Sequence, residues 1–550
     1  MKKLLLSLIV LLCCQTTFAQ NSTAEYVYDI FQRRCQVCHS NGNPSNGLDL
    51  EGSGATQAAK MLSVYQNLVN VTPTNSHAAA AGYKRVLPGH AWRSSLFRKI
   101  NNGLQPNMVL DPAEGINHDG RDHDITDAEK EAIRQWILFG APATGKVADS
   151  SILRRYYEDG GVPSFQTPPP APDASEGFQI QIGPFFLEPN DEDEYFWKYP
   201  TWIDQDLEVD KMEVLFGPYS HHFIMFEYQS PALAASKREG LRPDNAHSRT
   251  ELVTVQQYAD TLELPEGSAF FWDKGNILDL NTHYVNYSQT KVAACDAYVN
   301  VYTKPSGTAK QEMKVALIAN TNIFIPNDSV QRTFQENVVN SGGESFIWAL
   351  TSHTHQYGKD FNVYTRDLNG QKNDLIFDAE YQDGDPTSFY YGYDYQHPPI
   401  RYYSDYLILQ RGEGLIYEAT YNNNGPRPAR WGDTSDDEMM VLVFFYLDDT
   451  TGVGNVTSRS PQLASSAVQF GPNPTSSIGM VEIAGKSGEQ YSVQLMDMHG
   501  RSISAASPAA IADDKSRFEL DMKHLAPGIY YIRVQDQTGQ NVYTGKWLVR

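Results

Sequence analysis

Five histidines set in short apolar stretches carry the first chemistry legible in this 550-residue sequence. The stretch "YSHHFIMFEY" places His221 and His222 side by side, "DLNTHYVNYS" carries His283, and "TSHTHQYGKDF" carries His353 and His355. Downstream, "GDTSDDEMMVLVFFYL" sets Met439 and Met440 directly after Asp437 and Glu438. Side chains at i and i+2 of a strand project from one face, so His353 and His355 can share one metal ion. His221 and His222 point to opposite faces of a regular strand and meet one ion only at a strand end or a bulge. Taken singly, a strand histidine is more often a hydrogen-bonded surface residue, and a methionine in "MMVLVFFY" is more often core. The set points to a metal. Imidazoles with a thioether suit copper, whose reduced form prefers soft sulfur, better than zinc or magnesium.

A second chemistry sits near the N-terminus. Of the 5 cysteines, Cys13 and Cys14 fall in an apolar leader, which leaves Cys35, Cys38 and Cys295. Residues 35–39 read "CQVCH". Two thiols at this spacing can each add to a haem vinyl group, and His39 then ligates iron from the same helical turn, the signature of c-type haem attachment. A redox C-x-x-C is the alternative, but it has no use for the adjacent histidine. Cys295, in "VAACDAYVNVY", reads as a buried strand residue. So few cysteines exclude a disulfide framework.

The elements that must position these groups differ along the chain. "MKKLLLSLIVLLCCQTTFAQ" has a basic start, an apolar run and small residues before Gln20, an export signal over residues 1–19. A lipoprotein box at Cys13 or Cys14 lacks the small residues it requires. No later apolar run is long enough to span a bilayer. Residues 20–146 read as a small helical domain, with Thr126 and Glu129 forming a capping box for a last helix that Gly140 closes. A linker follows over 147–175, ending in the proline-rich "VPSFQTPPPAPDASEG". From 176 to 450, short strands such as "KMEVLFG" and "DAYVNVYT" alternate with Gly, Asn, Asp and Pro turns, a length suited to two tandem β-sandwiches of the jelly-roll kind, 176–308 and 309–450. After a linker at 451–463, residues 464–550 read as a third small β-sandwich. The fold class is therefore multidomain and mainly β. The net charge of −22 argues against nucleic acid or an anionic membrane as a partner.

Three resemblances attach to these segments. "LPGHAWRSSLFRKINNG", "LQPNMVLDP" and "ITDAEKEAIRQWILFGAP" make the first domain similar to the cytochrome c domains of multidomain bacterial exported proteins. In that family the sixth iron ligand is a Met in the loop between those elements, the place of Met108; Val109 stands where the family usually has Pro, and Met61 and His90 are the fallback ligands. The order HH, H-Y, H-T-H-x-x-G-K, D-E-M resembles the copper type II, ascorbate-dependent monooxygenases, the peptidylglycine and dopamine β-hydroxylating enzymes. That resemblance implies two β-sandwich subdomains, each with one copper, facing across a solvent-filled cleft. His221, His222 and His283 would hold an electron-transfer copper; His353, His355 and Met439 would hold the oxygen-activating copper, with Met440 in the core. The peptide-amidating branch carries a substrate-anchoring Arg where Thr351 stands, and Asn and Tyr where Val441 and Val443 stand. Finally, "FGPNPTSS", the D-x-x-G-R turn from Asp497 to Arg501 and the G-I-Y-x-x-x-V pattern from Gly528 resemble the C-terminal sorting domain of type IX secretion. His499 and His524 there read as turn and surface residues.

The implied function is an exported monooxygenase that hydroxylates a C–H bond of an unknown organic substrate with O2. Its cofactors would be two copper ions and one covalent haem c, the haem relaying electrons from an external donor. The type IX machinery would be a further partner, and the destination the cell surface or the medium. A haem and copper electron-transfer protein, or a copper-binding surface protein, are the rival readings.

Overall fold

The computed structural model describes residues 22–549 apart from 41, 43, 107–109, 116–117, 119–124, 164–169, 201–204, 217–219, 229, 244–249, 256–258, 287, 383–390, 396–397, 433, 455–467, 472–477, 485–489, 498–501, 511–514, 526–527 and 537–540. The export signal and Met108 lie outside the described residues. The chain forms two compact units, one ending at Tyr157 and the other beginning at Glu158.

The first unit is helical. Helix Thr23–Ile30 starts at Ser22, whose side chain accepts from Glu25 N–H, and continues through a wider turn, Phe31–Cys35. Thr56 caps Gln57–Leu68 in the same way. The capping box expected at Thr126 is present: Thr126 Oγ1 accepts from Glu129 N–H, and the Glu129 carboxylate accepts from Thr126 N–H. Gly140, at a φ of 89°, follows the end of that helix, Asp127–Leu138. Val27, Ile30, Phe31, Leu68, Phe97, Ile133, Trp136 and Ile137 are buried between these elements. One expectation is corrected here. Residues 150–158, placed in a tether, form the helix Ser150–Glu158, which buries Leu153 and Tyr156 and donates the Tyr157 hydroxyl to Glu131 (2.9 Å). Leu153 and Tyr156 are three apart and share a helix face; the prolines that suggested a tether begin only at Pro163.

The second unit is built of sheets. Strands Gly177–Leu187, Leu207–Phe216, Ala259–Glu263, Ser268–Trp272 and Ala293–Pro305 belong to one seven-stranded sheet. Opposite them, Glu192–Pro200, Ser220–Glu227 and Ile277–Val285 sit within a five-stranded sheet. Phe185 of the first sheet packs edge-on against Tyr284 and Tyr195 of the second. Cys295 is buried in its strand, as expected. Further along, two four-stranded sheets close on a core of Leu350, Phe361, Tyr417, Tyr421, Leu442 and Phe444, and Met440 lies in that core. A three-stranded and a four-stranded sheet at the C-terminal end enclose Val481, Ile483, Val493, Leu495, Phe518 and Trp547.

Strand Val441–Leu447 explains its own unbroken apolar sequence. Leu442 and Phe444 face the core just named, while Phe445 on the other face lies 6.4 Å, ring centre to ring centre, from Phe270 of the seven-stranded sheet. A strand covered on both faces has no solvent face to make polar, which is why alternation fails there. Among the described residues no helix is long and apolar enough to cross a membrane.

Candidate functional site: a buried histidine cluster and a C-x-x-C-H turn

Strand register assembles the first half of the cluster. His283 pairs directly with His222 on one side and with Glu194 on the other, so all three project from one face of the five-stranded sheet. Asn281 and Glu192, each two residues from a member of that row, share the face. The ladder skips from His222 to Ser220 opposite His283 and Tyr284, which makes His221 the bulged residue. A bulge is the arrangement that two adjacent histidines need to reach one ion; the His221 side chain itself lies outside the described residues.

A second strand pair builds the other half. His353 ends strand Ser345–His353 and pairs with Val441, and Thr351 pairs with Val443. His353, Thr351, Val441 and Val443 therefore share one face, on the side of the sheet that also carries Phe445. His355 lies just past the strand, in the corner leading to Gly358–Arg366.

The two halves meet. Ring centres of His222 and His283 are 5.1 Å apart, those of His353 and His355 5.0 Å, and those of His222 and His353 5.5 Å, all edge to face. These four rings are buried. Sets expected on opposite sides of a solvent-filled cleft thus lie in contact. Two features draw them together: the Phe270–Phe445 packing, and Glu192, whose Oε1 accepts from both N–H (2.9 Å) and Oγ–H (2.8 Å) of Ser435.

Hydrogen bonds orient each ring. His283 Nε2 donates to Glu192 Oε1 (2.6 Å), and His222 Nε2 donates to Asn281 Oδ1 (2.7 Å), whose amide donates on to Glu194 (2.8 Å). His355 Nδ1 donates to the Asp437 carbonyl (3.3 Å). Glu438 is buried beneath this corner and accepts from the backbone N–H groups of His355 (2.9 Å), Tyr357 (2.7 Å) and Met439 (3.2 Å). Tyr421 donates its hydroxyl to the Met439 carbonyl (2.7 Å), and Met439 itself is half-buried.

Burial, reinforced by the neighbouring imidazoles, holds His353 well below the usual histidine range and brings His355 down to about 4. Both are neutral at pH 7 and need lose no proton to bind a metal. Burial alone would raise the carboxyls of Glu192 and Glu194, but hydrogen bonds and charge attraction to His283 and His222 overcome it; Glu194 falls to about 2. Two ionised carboxylates beside buried imidazoles favour a cation. Among the described residues, no three His, Cys, Asp or Glu side chains already converge as they would around a metal. The four rings pack edge to face, which leaves their nitrogens pointing to different points of the cluster; imidazole nitrogens are the donors that copper and zinc both accept.

Glu192, Glu194, Asn281 and Ser435 did not figure in the sequence reading, and Glu438 figured there only as the residue that precedes Met439. The first two had a signal: the acidic "EDE" alternates within an otherwise aromatic strand, setting two carboxylates on one face.

In the first unit, Cys38 N–H and His39 N–H both donate to the Cys35 carbonyl (3.2 and 3.1 Å), so the five residues form one helical turn. Burial pushes the Cys35 thiol up to about 12. A redox C-x-x-C works through a lowered thiol, and burial at Cys35 acts in the opposite direction. Val37 between the two cysteines is 80% exposed, and Cys38 is exposed as well. A covalently attached macrocycle would cover that apolar surface. His39 Nδ1 donates to the Leu48 carbonyl (3.0 Å), and its ring centre lies 6.1 Å from that of His118.

Residues 470–550 match the secretion system C-terminal sorting domain. No curated protein matches the chain. Among solved structures, PorZ, a surface component of the type-IX secretion system of Porphyromonas gingivalis, aligns at 21% identity over 21% of this chain and 14% of its own, with a TM-score of 0.13. A Ruminococcus gnavus β-glucuronidase aligns at 13% identity over 41% of this chain and 35% of its own, with a TM-score of 0.17. This chain spans a minor part of either protein, and at such scores neither likeness lends it a fold or an activity. The sorting domain identifies a type IX secretion cargo, exported to the cell surface or the medium.

Proposed function

We propose that this chain is an exported copper-dependent monooxygenase that hydroxylates a C–H bond of an organic substrate and draws its electrons through a c-type haem. The observation that supports this best is the gathering of His222, His283, His353 and His355 from two sheets into one buried cluster. Within the two-sandwich reading, His221, His222 and His283 would hold one copper, and His353, His355 and Met439 the other. Copper bound there would supply one-electron transfer and the reduction of O2. The reaction balances as substrate C–H, O2, two electrons and two protons giving C–OH and water.

The chain's own groups have definite tasks. Glu192 and Asn281 hold Nε2 of His283 and His222, which gives Nδ1 the role of ligand; the Asp437 carbonyl holds Nδ1 of His355, which gives that role to Nε2. Glu438 fixes the backbone on both sides of His355 and Met439. Thr351, Val441 and Val443, buried on the same face as His353, make the neighbouring wall small, and apolar but for the Thr351 hydroxyl. This wall suits an uncharged C–H region better than a carboxylate. The edge contact of His222 with His353 gives electrons a short path from one set to the other.

Copper-loaded protein supplied with O2 and a one-electron reductant is expected to consume O2 in a substrate-dependent way and to yield +O products by mass spectrometry. A reduced protein that binds copper but is inert to O2 would leave an electron-transfer or copper-holding role. The relay is tested by stopped-flow reduction of the copper sites from a cytochrome donor. Equal rates in wild type and Cys35→Ala/Cys38→Ala would remove the haem from the path.

A further inference from the structure

We infer that His118, rather than Met108, is the second axial ligand of the haem held at Cys35, Cys38 and His39; the inference rests on the haem reading above. The Leu48 carbonyl takes the Nδ1 proton of His39 and so presents Nε2 as the ligating atom. The ring facing it is His118, with centres 6.1 Å apart and planes tilted by 35°. A metal bonded to two imidazole nitrogens at about 2 Å each, with each nitrogen about 1 Å from its ring centre, separates the centres by roughly 6 Å. The observed 6.1 Å spacing matches that separation, so His118 lies within ligating distance of an iron held by His39.

His118 is held there by its backbone. Its N–H donates to the Lys99 carbonyl (3.0 Å). The turn before it, Pro112–Glu114, carries a capping box from Asp111, and the buried Glu114 accepts from Arg98 Nε (2.6 Å). Of the fallback ligands, His90 is buried in another turn, where its carbonyl accepts from Ser94 Oγ (2.9 Å). Two imidazoles leave the haem at a lower potential than an imidazole and a thioether would, since methionine ligation raises it. A lower potential makes the haem the stronger reductant for copper.

The test uses the full-length chain matured with its haem. Covalent attachment is read first, by intact mass and alkaline pyridine spectra; a protein without haem overturns the haem reading and this inference with it. With haem attached, the oxidised wild type is expected to show a low-spin electron paramagnetic resonance signal and no sulfur-to-iron charge-transfer band. Met108→Ala should leave both unchanged. His118→Ala should convert the signal to high spin, and His118→Met should introduce the sulfur band and raise the midpoint potential. A sulfur band in wild type that Met108→Ala abolishes, or a low-spin signal that survives His118→Ala, overturns the assignment while leaving the haem itself in place.

Discussion

Single side chains set the charge balance of this molecule, and two can be read against measurement. Glu192 accepts from His283 Nε2 and from both donors of Ser435, so it orients a proposed ligand and joins two parts of the cluster at once. Removing such an outer partner typically costs a metal site about 10- to 100-fold in affinity. Glu192→Ala, which removes the acceptor from His283 Nε2, is expected to weaken copper binding by roughly that factor in a competition titration, while the protein stays folded by circular dichroism. Unchanged affinity would mean that His283 does not hold copper. Among the described residues, Asp360 makes no hydrogen bond to the histidine rings and tests the electrostatics of the neighbouring strand. Its half-burial first, and the carboxylates of Glu380 and Asp378 next, push it up to about 6. The folded chain therefore keeps this proton at pH values where an unfolded chain, with an aspartate near 4, releases it. Stability from this group is present below about pH 4 and is lost as pH rises through 6. Asp360→Asn is expected to flatten that slope and to gain on the order of 1 kcal/mol at pH 7–8, reduced from the full linkage value by solvent screening. Urea denaturation at pH 4 and pH 8 reads both.

Elements decide which of these side chains can meet, and here the sequence was only partly legible. The i, i+2 spacing of His353 and His355 announced a shared face, and their rings are 5.0 Å apart. The adjacency of His221 and His222 required a bulge, and the ladder has one there. Strand periodicity, however, fixes faces within a sheet and says nothing of which sheets approach. The contact of His222 with His353, and of His39 with His118, depends on long-range packing that leaves no local pattern. The "x-x-G" after the H-T-H pair does have a local cause. A Cβ on Gly358 would lie 2.2 Å from Thr354 Oγ1, 2.9 Å from Thr354 Cβ and 3.1 Å from the His355 carbonyl. The corner that places His355 therefore closes only on glycine. Gly358→Ala must push Thr354 and His355 outward, an overpacking that typically costs about 1–3 kcal/mol. The expected outcome is a lowered melting temperature with a larger loss of copper at the His355 site than at the His283 site, read by metal analysis after dialysis. Equal loss at both sites would place the strain outside this corner.

At the scale of the whole molecule, the proposed copper chemistry and the cellular address occupy separate cores. Trp547, Phe518, Leu495 and Val481 close the C-terminal sandwich on itself, and none of these residues belongs to the histidine cluster. Short strands with Gly-bearing turns made this domain readable, because each strand is local; the pairing of its two sheets was not. Such independence gives a sharp expectation. A chain ending at residue 463 should acquire its haem and copper as the full chain does, yet accumulate in the periplasm, since the sorting domain that addresses it outward is gone. A point change separates loss of the address from loss of mass. Gly479 lies under Trp547, and a Cβ there would sit 2.4 Å from the indole ring and 2.9 Å from the Met522 methyl. Gly479→Leu should break only this core and reproduce the periplasmic retention, with the copper-to-haem ratio unchanged. Fractionated cells, immunoblotted for the chain and assayed for both metals, give the answer. Wild-type amounts of either variant at the surface or in the medium would show that the address lies elsewhere in the sequence, whereas retention with lost copper would show that the sorting domain supports the fold of the cluster as well.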